Sequence, residues 1–427
     1  MIQALRGRIR ARLAEPLERN AYALALNAVL TAALGLGYWV LATHHYSPQV
    51  VGQNSALVSA MVLLSTCSQL NLAGAMTHFL PRAGRASSLL IVAGYAASAA
   101  LAALLAAAFV ILAPHVSPKL NFFQTSWLLA MSFCVAVILW GVFAIQDGVL
   151  TGLRRAEWVP LENAVFGLAK LALVVAFVGV LPAFGIFASW TVPLIALLGL
   201  VNLLIFRRLV PRHVVLTAAR STPLRLKRVA RFVGGDYLGS LFLQGGTTLL
   251  PVLVAAKLGA EASGRFYIAF VLVTAIDVMA MNVGASLTVE GSHGEVALPE
   301  LIRRTARLGA ALMIPACGAL TLGAPLVLSI FGSGYAASAD TTLRLLALGV
   351  MAKGVTILYL SACRAQGRVA SILRVEAATF GLTVGLSLLL LGRYGITGVG
   401  VAWLASQATV AVVVFPMLRR LVRDGVT

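Results

Sequence analysis

Three ionisable side chains stand inside stretches that are otherwise apolar: Lys170, Asp277 and Lys353. Insertion scales put a charge near mid-span at ~2.5–3.5 kcal/mol, so such residues face protein or water and mark ion or substrate routes. Asp277 and Lys353 can neutralise one another as a structural pair, or take part in ion coupling. Lys170 has no acidic residue at matching depth in its half of the chain, and an unpaired cation there attracts anions. Lys170 and Lys353 therefore read as electrostatic anchors for an anionic ligand.

Uncharged polar groups extend the set. Asp236, Ser240, Gln244, Thr247 and Thr248 share one helical face, and Ser55, Ser59, Thr66 and Gln69 share another. Asn20, Asn27, Thr31 and Tyr38 form a thinner stripe, and Thr274, Asp277, Met281 and Thr288 a fourth. Such faces are unfavourable toward lipid and point to protein or to a water-filled cavity. Packing between helices explains any single stripe equally well; stripes at corresponding places in two halves favour a cavity. The substrate-binding candidates are thus Lys170, Lys353, Asn27, Gln244, Asp236 and Gln69, with Asp277 and Lys353 as an ion-coupling or structural pair.

No catalytic set accompanies them. A Walker A segment is absent, and no nucleophile stands with a base. Cys67, Cys134, Cys317 and Cys363 are far apart, and the histidines do not cluster beyond the tandem His44-His45. The expected chemistry is binding and movement, with no enzymatic activity, metal or cofactor.

The elements that position these residues follow from composition. Of 427 residues, 60% are hydrophobic and only 11% charged, against about 25% charged in soluble domains. Mean hydropathy is +0.94. A helix needs about 20 apolar residues to cross a hydrocarbon core, and apolar stretches broken by charge, Pro or Gly give twelve spans. They run at 20–42, 51–80, 87–113, 124–150, 159–181, 186–207, 235–257, 264–289, 303–330, 341–362, 370–391 and 396–418. The long Ala/Leu/Val runs exclude a β-barrel, which alternates over about ten residues.

The net charge of +19 could indicate nucleic-acid binding, but its distribution argues for membrane topology. Of 33 Lys and Arg, 26 fall at the termini and in the even-to-odd loops, five fall on the opposite side, and two lie within spans. Cytoplasmic loops carry the positive excess, so both termini are expected in the cytoplasm. Leu5, Ile9, Leu13 and Leu17 recur among arginines, and residues 1–19 read as an amphipathic helix on anionic inner-leaflet lipid. The basic segment 208–234 reads as a cytoplasmic linker between lobes at 20–207 and 235–418, with 419–427 as a tail.

The two lobes resemble each other. Glu162 to Leu168 matches Glu376 to Leu382, Gly185 to Trp190 matches Gly398 to Trp403, and Tyr22 matches Tyr237, all at nearly constant offset. An even number of spans per half makes the repeat parallel, as in transporters that work by alternating access.

Several stretches resemble the multidrug/oligosaccharidyl-lipid/polysaccharide exporter superfamily, in particular its Wzx-type polysaccharide flippases. They are Asn71 to Arg82, Leu258 to Tyr267, Ile330 to Tyr335 and Gly392 to Gly398. The resemblance implies an all-α polytopic membrane protein, with two six-helix lobes around a central cavity lined largely by spans 1, 2, 7 and 8. It also implies flipping of lipid-linked glycan across a bacterial cytoplasmic membrane, with glycan-synthesis proteins as partners and no nucleic acid. A multidrug–cation antiporter of the superfamily should carry a carboxylate in span 1, where this chain offers only Asn27. A major-facilitator transporter should carry an Asp in the loop after span 2, where this chain reads Gly74 to Arg85 without one. A non-transporting component of a polysaccharide-synthesis complex is the remaining alternative.

The charge distribution makes a direct prediction. Cysteines placed at Arg220 and Ser338 are expected to react with an impermeant maleimide from opposite sides of the membrane. Labelling of both from outside would contradict the topology and the parallel repeat.

Overall fold

The computed structural model describes residues 16–118, 126–217, 226–293 and 297–423, with side chains from residue 31 onward except 116, most of 226–243, 289, 292 and 293. The interfacial helix expected at 1–19 and part of the linker at 208–234 thus lie outside the described residues. The described residues are nearly all helical and contain no strand.

The helices are α1 (Pro16–His45), α2 (Pro48–Gln69), α3 (Leu72–Phe79), α4 (Ser87–Val116), α5 (Trp127–Gly152), α6 (Trp158–Ala176) and α7 (Gly185–Leu204). A π-turn at Ile205–Leu209 leads into α8 (Val210–Thr217). They are followed by α9 (Leu226–Leu258), α10 (Ala260–His293), α11 (Leu298–Leu322), α12 (Ala324–Ser329), α13 (Ser333–Ala365) and α14 (Val369–Arg423). Among the described residues, nine helical stretches are long and apolar enough to cross a membrane. One of them, α14, has 55 residues, about 80 Å if straight, which far exceeds a bilayer core. It folds back at Gly395, where φ is +59° and ψ is −145°, a conformation open chiefly to glycine. The Thr383 and Ser406 hydroxyls then meet at 2.8 Å across the hairpin. With α1 and α9, of 30 and 33 residues, the crossings number twelve.

Two expected spans are interrupted. The stretch 51–80 breaks between α2 and α3, where Leu70 and Asn71 take left-handed conformations with φ of 49° and 55°. Asn tolerates that region better than most residues, and nothing in the apolar pattern of the segment announces the break. The stretch 303–330 breaks at Gly323, the cap of α11, and Pro325 then opens the short α12.

The chain divides into two compact units. The first holds 1–42, 67–106 and 134–235, and the second holds 43–66, 107–133 and 236–427. In the first unit, α5 lies directly on α3. A Cβ on Gly148 would stand 2.3 Å from the Ala73 carbonyl oxygen, and one on Gly152 would stand 2.7 Å from that of Met76. Two glycines four residues apart let the backbones touch, which is how helices gain contact where no hydrophobic force drives them together. Leu72, Met76, Leu80, Ile91, Ile145 and Val149 close the core around this contact.

In the second unit, α2 meets α10 in the same manner. A Cβ on Gly52 would overlap the Ala260 carbonyl, and one on Gly264 would stand 2.5 Å from that of Pro48. Nearby, Ala56, Ala113 and Ala255 pack together, and Ser117 donates to the Ala256 carbonyl at 2.5 Å. These contacts bind the segments 43–66 and 107–133 to the helices after residue 235.

Close packing predicts unequal tolerance to a single methyl group. Gly148→Ala is expected to destabilise the protein by about 1–3 kcal/mol, seen as a lower Tm in detergent. Gly199→Ala, with nothing within 4 Å of its Cβ position, is expected to leave Tm unchanged or raised. Equal Tm for both variants would contradict the α3–α5 contact.

Candidate functional site

The second unit pairs the acids it buries with basic side chains. Asp277 on α10 and Lys353 on α13 are 6% and 7% exposed. Lys353 Nζ donates to Asp277 Oδ2 at 2.7 Å and stands 5.5 Å from the centre of the Trp403 ring. One helical segment further, Arg364 Nη2 reaches Glu376 Oε1 on α14 at 3.4 Å. Residues 353, 356, 357, 360, 361 and 364 recur at helical spacing, so α13 turns one continuous face to a cavity of about 320 Å³. Met281 and Thr288 on α10 and Glu376, Thr379 and Gln407 on α14 complete its wall. The cavity wall is mostly apolar, and the charges around it pair off. Breaking a buried pair by removing one partner leaves an uncompensated charge and costs about 3–5 kcal/mol.

The first unit treats its mid-span cation differently. Lys170 on α6 is 8% exposed, and no carboxylate pairs with it among the described residues. Its ammonium is instead surrounded by rings, 4.1 Å from the centre of Trp190, 5.1 Å from Tyr38 and 5.3 Å from Phe166. Trp140 lies 5.4 Å from Trp190 and 5.8 Å from Phe166, closing an aromatic box over α5, α6 and α7. Tyr38 is held in place because its hydroxyl donates to the Ile186 carbonyl at 3.0 Å and meets Ser189 Oγ at 2.8 Å. A desolvated ammonium on a ring face gains about 2 kcal/mol, which lowers the cost of burial without cancelling the charge. An anion can therefore still be attracted.

The internal repeat sharpens this contrast. Trp190 and Trp403 occupy matching positions and each receives a lysine, yet from different helices, Lys170 on α6 and Lys353 on α13. The position matching Lys170 in the second unit is Val384, and that matching Lys353 in the first is Leu139. A cation thus lies beside the matching tryptophan in both halves, each time from a different helix.

Other candidates are scattered. Gln244 is exposed on α9, and Gln69 is half-buried in the last turn of α2. Asn27 and Asp236 fall on α1 and α9, where their side chains lie outside those described. The hydroxyls of the polar stripes largely turn back on their own helices. Ser55 donates to Gly52, Thr274 to Phe270, and both Thr247 and Thr248 to Gln244. Ser55 and Ser59 are buried in the second unit.

Glu162 and Glu376 occupy matching positions in the two halves. Glu376 has its arginine. Glu162 sits a turn inside α6, 4% exposed, with both carboxyl oxygens buried and unpartnered. In the sequence, the signal for the aromatic box is Phe166 four residues before Lys170, on the same helical face.

No protein-family profile and no curated protein matches the chain. Solved structures do. An inward-facing multidrug resistance MATE family transporter of the MOP superfamily is 15% identical, with a TM-score of 0.70 over 92% of this chain and 94% of that one. A MATE multidrug transporter solved with a bound ligand is 16% identical, with a TM-score of 0.63 over 93% and 95%. A MOP superfamily transporter from Pyrococcus furiosus, described as having a binding pocket of reverse polarity, is 12% identical, with a TM-score of 0.60 over 95% and 96%. At these identities the likeness is one of fold: the chain is a polytopic helical membrane protein with the architecture of MATE transporters.

Proposed function

We propose that this chain moves a lipid-linked, anionic oligosaccharide across a bacterial cytoplasmic membrane by alternating access, with both termini in the cytoplasm. The observation that carries the reading is Lys170, a mid-span cation held by aromatic rings and without a carboxylate partner among the described residues. Its ammonium offers three donors to a phosphate or acidic sugar, and the low dielectric around it strengthens that attraction. Flat rings beside it suit the apolar faces of sugars. A flexible lysine also holds an anion less rigidly than an arginine fork would, which favours release on the far side. The looser resemblance of the glycine and aromatic motifs to Wzx-type flippases supports the same cargo.

Lys353 plays a lesser part in this account. With Asp277 at 2.7 Å its charge is already met, so its main contribution is to hold α10 against α13. Arg364, whose side chain is 37% exposed, is the more available cation of the second unit.

A multidrug exporter is the alternative, because two of the matching folds are described as multidrug transporters. The positive charge in the aromatic box opposes a lipophilic cation there, and span 1 offers Asn27 where a carboxylate would serve such a cargo. The pocket of reverse polarity described for the Pyrococcus furiosus protein shows that one fold accommodates different charge patterns.

Deleting the gene and extracting lipids separates the readings. Accumulation of lipid-linked oligosaccharide on the cytoplasmic face is the expected result, and unchanged glycolipids with altered drug sensitivity would support the exporter instead. Complementation by Lys170→Ala is expected to fail at normal expression, whereas Lys170→Arg keeps part of the activity. Lys353→Ala is expected to lose about 3–5 kcal/mol of stability, with Asp277→Ala added to it restoring most of the loss. An unstable double variant would show that the two residues do not act as a pair.

A further inference from the structure

Beside its charged cavity, the second unit has an apolar one of about 280 Å³ between α10, α11 and α13. Apart from Thr305 its wall is apolar, and small residues make the room: Gly284 on α10, Ala306, Gly309 and Ala310 on α11, and Gly354 on α13. A Cβ on Gly284 would stand 2.6 Å from Ile357 Cγ2 and 2.7 Å from Ser361 Oγ, so α10 and α13 are pressed together there. A Cβ on Gly309 would meet only Val283 Cγ1, at 4.0 Å, so α11 stands off the floor that the other two helices form. Only 11% of the apolar stretch of α11 is buried in the protein, against 61% for α13, and Ile314 at the edge is 55% exposed. The cavity is thus a groove open to the surroundings of the bundle, which for a membrane-spanning chain are lipid tails.

Depth and charge indicate its occupant. On α11 the lining runs from Thr305 to Ile314, a rise of about 14 Å, close to one leaflet of a hydrocarbon core about 30 Å thick. On α10 and α13 the lining residues fall in the later half of each helix. Leu287, Leu301, Ile302, Leu360 and Cys363 pack together where those two helices finish and α11 begins, so the groove belongs to that end, the one expected in the cytoplasm. Arg303 and Arg307 stand at the same end. Positions 303, 307, 310 and 314 recur at helical spacing, and Ala310 and Ile314 line the groove, so the two arginines continue its edge toward the membrane surface. Arg304 is engaged by Glu300 at 2.9 Å, whereas the exposed Arg303 and Arg307 form no ion pair among the described residues.

An apolar groove one leaflet deep, with two guanidinium groups at its end, matches the two parts of a lipid with a negative headgroup. We propose that the groove binds one anionic phospholipid of the cytoplasmic leaflet, with an acyl chain between α10, α11 and α13 and its phosphate against Arg303 and Arg307. Guanidinium groups bond phosphate oxygens in pairs, and basic residues at the membrane surface favour anionic over neutral lipid. A zwitterionic headgroup brings its own ammonium and offsets that gain. Ile357 lines both this groove and the cavity beside Lys353 and Arg364, so a bound chain packs against the helix that carries those charges. The proposal goes beyond the transport reading and does not depend on the cargo; it takes only the leaflet from the expected topology.

Native mass spectrometry of the delipidated full-length protein in mild detergent tests it, with phosphatidylglycerol and phosphatidylethanolamine of equal, long acyl chains as probes. One phosphatidylglycerol is expected to bind saturably, about thirtyfold more tightly than phosphatidylethanolamine, or about fivefold for each arginine. Arg303→Gln or Arg307→Gln alone should leave about a fivefold preference, and the double variant none, whereas Arg207→Gln with Arg208→Gln leaves it intact. Gly309→Leu places its side chain in the open space of the groove and is expected to remove the bound lipid from a folded protein. Should that variant fail to fold, dihexanoyl phosphatidylglycerol, with the same headgroup and chains too short to line the groove, carries the test and should bind the wild type at least about tenfold more weakly. Equal binding of the two headgroups, a preference that survives the double arginine variant, or equal binding of the short-chain lipid overturns the proposal. Tighter binding of a prenyl phosphate than of phosphatidylglycerol, lost in Gly309→Leu, would assign the groove to a prenyl chain and overturn it likewise. Transport is not read out, so failure here leaves the transport reading untouched.

Discussion

A charge inside a membrane-spanning helix must be compensated, and the two units of this protein meet that constraint in opposite ways. The second unit compensates locally, with Lys353 bonded to Asp277 and Arg364 reaching Glu376. The first unit separates its charges. Lys170 rests among Trp190, Tyr38 and Phe166, while Glu162 lies two turns away along α6 with no hydrogen-bond partner among the described residues. A desolvated cation–ring contact contributes about 2 kcal/mol, less than a buried ion pair gains in gross attraction. The first unit thus leaves polar groups of both kinds unmatched among the described residues.

That arrangement needs a rigid frame, because ring-to-cation distances near 4–5 Å tolerate little slack. The frame comes from small residues. Gly148 and Gly152 bring α5 into backbone contact with α3, fixing the helix that carries Trp140, Phe143 and Asp147. Gly167 lies against Leu34, which seats α6 beside α1 and sets Tyr38 over Lys170. The bond network of Tyr38, Ser189 and Ile186 then locks α1 to α7. Packing and electrostatics are thus one problem here: the residues that touch determine which charges stay unmet.

Much of this was legible in the sequence. Apolar length and the placement of arginines yield twelve crossings, because both reflect the thickness and charge asymmetry of a membrane rather than details of packing. The offset between Phe166 and Phe380, and between Trp190 and Trp403, exposes the repeat. What stayed hidden depends on side-chain direction across helices. The break at Leu70-Asn71 has no hydropathy signature, since both flanks are equally apolar. Glu162 and Glu376 look alike along the chain, but Glu376 meets Arg364 where the first half has Leu150. The aromatic box draws on four helices whose spacing in sequence carries no information about their meeting.

The central claim is that Lys170 in its aromatic box recognises an anionic headgroup. Trp140 and Trp190 report on it directly. Intrinsic tryptophan fluorescence of the purified protein should change saturably on titration with a prenyl pyrophosphate in detergent, and Trp190→Phe should remove most of that change. The account predicts no saturable response from the uncharged prenyl alcohol, and none from Lys170→Gln with the pyrophosphate. An equal response to the alcohol, or an undiminished one in Lys170→Gln, would contradict it.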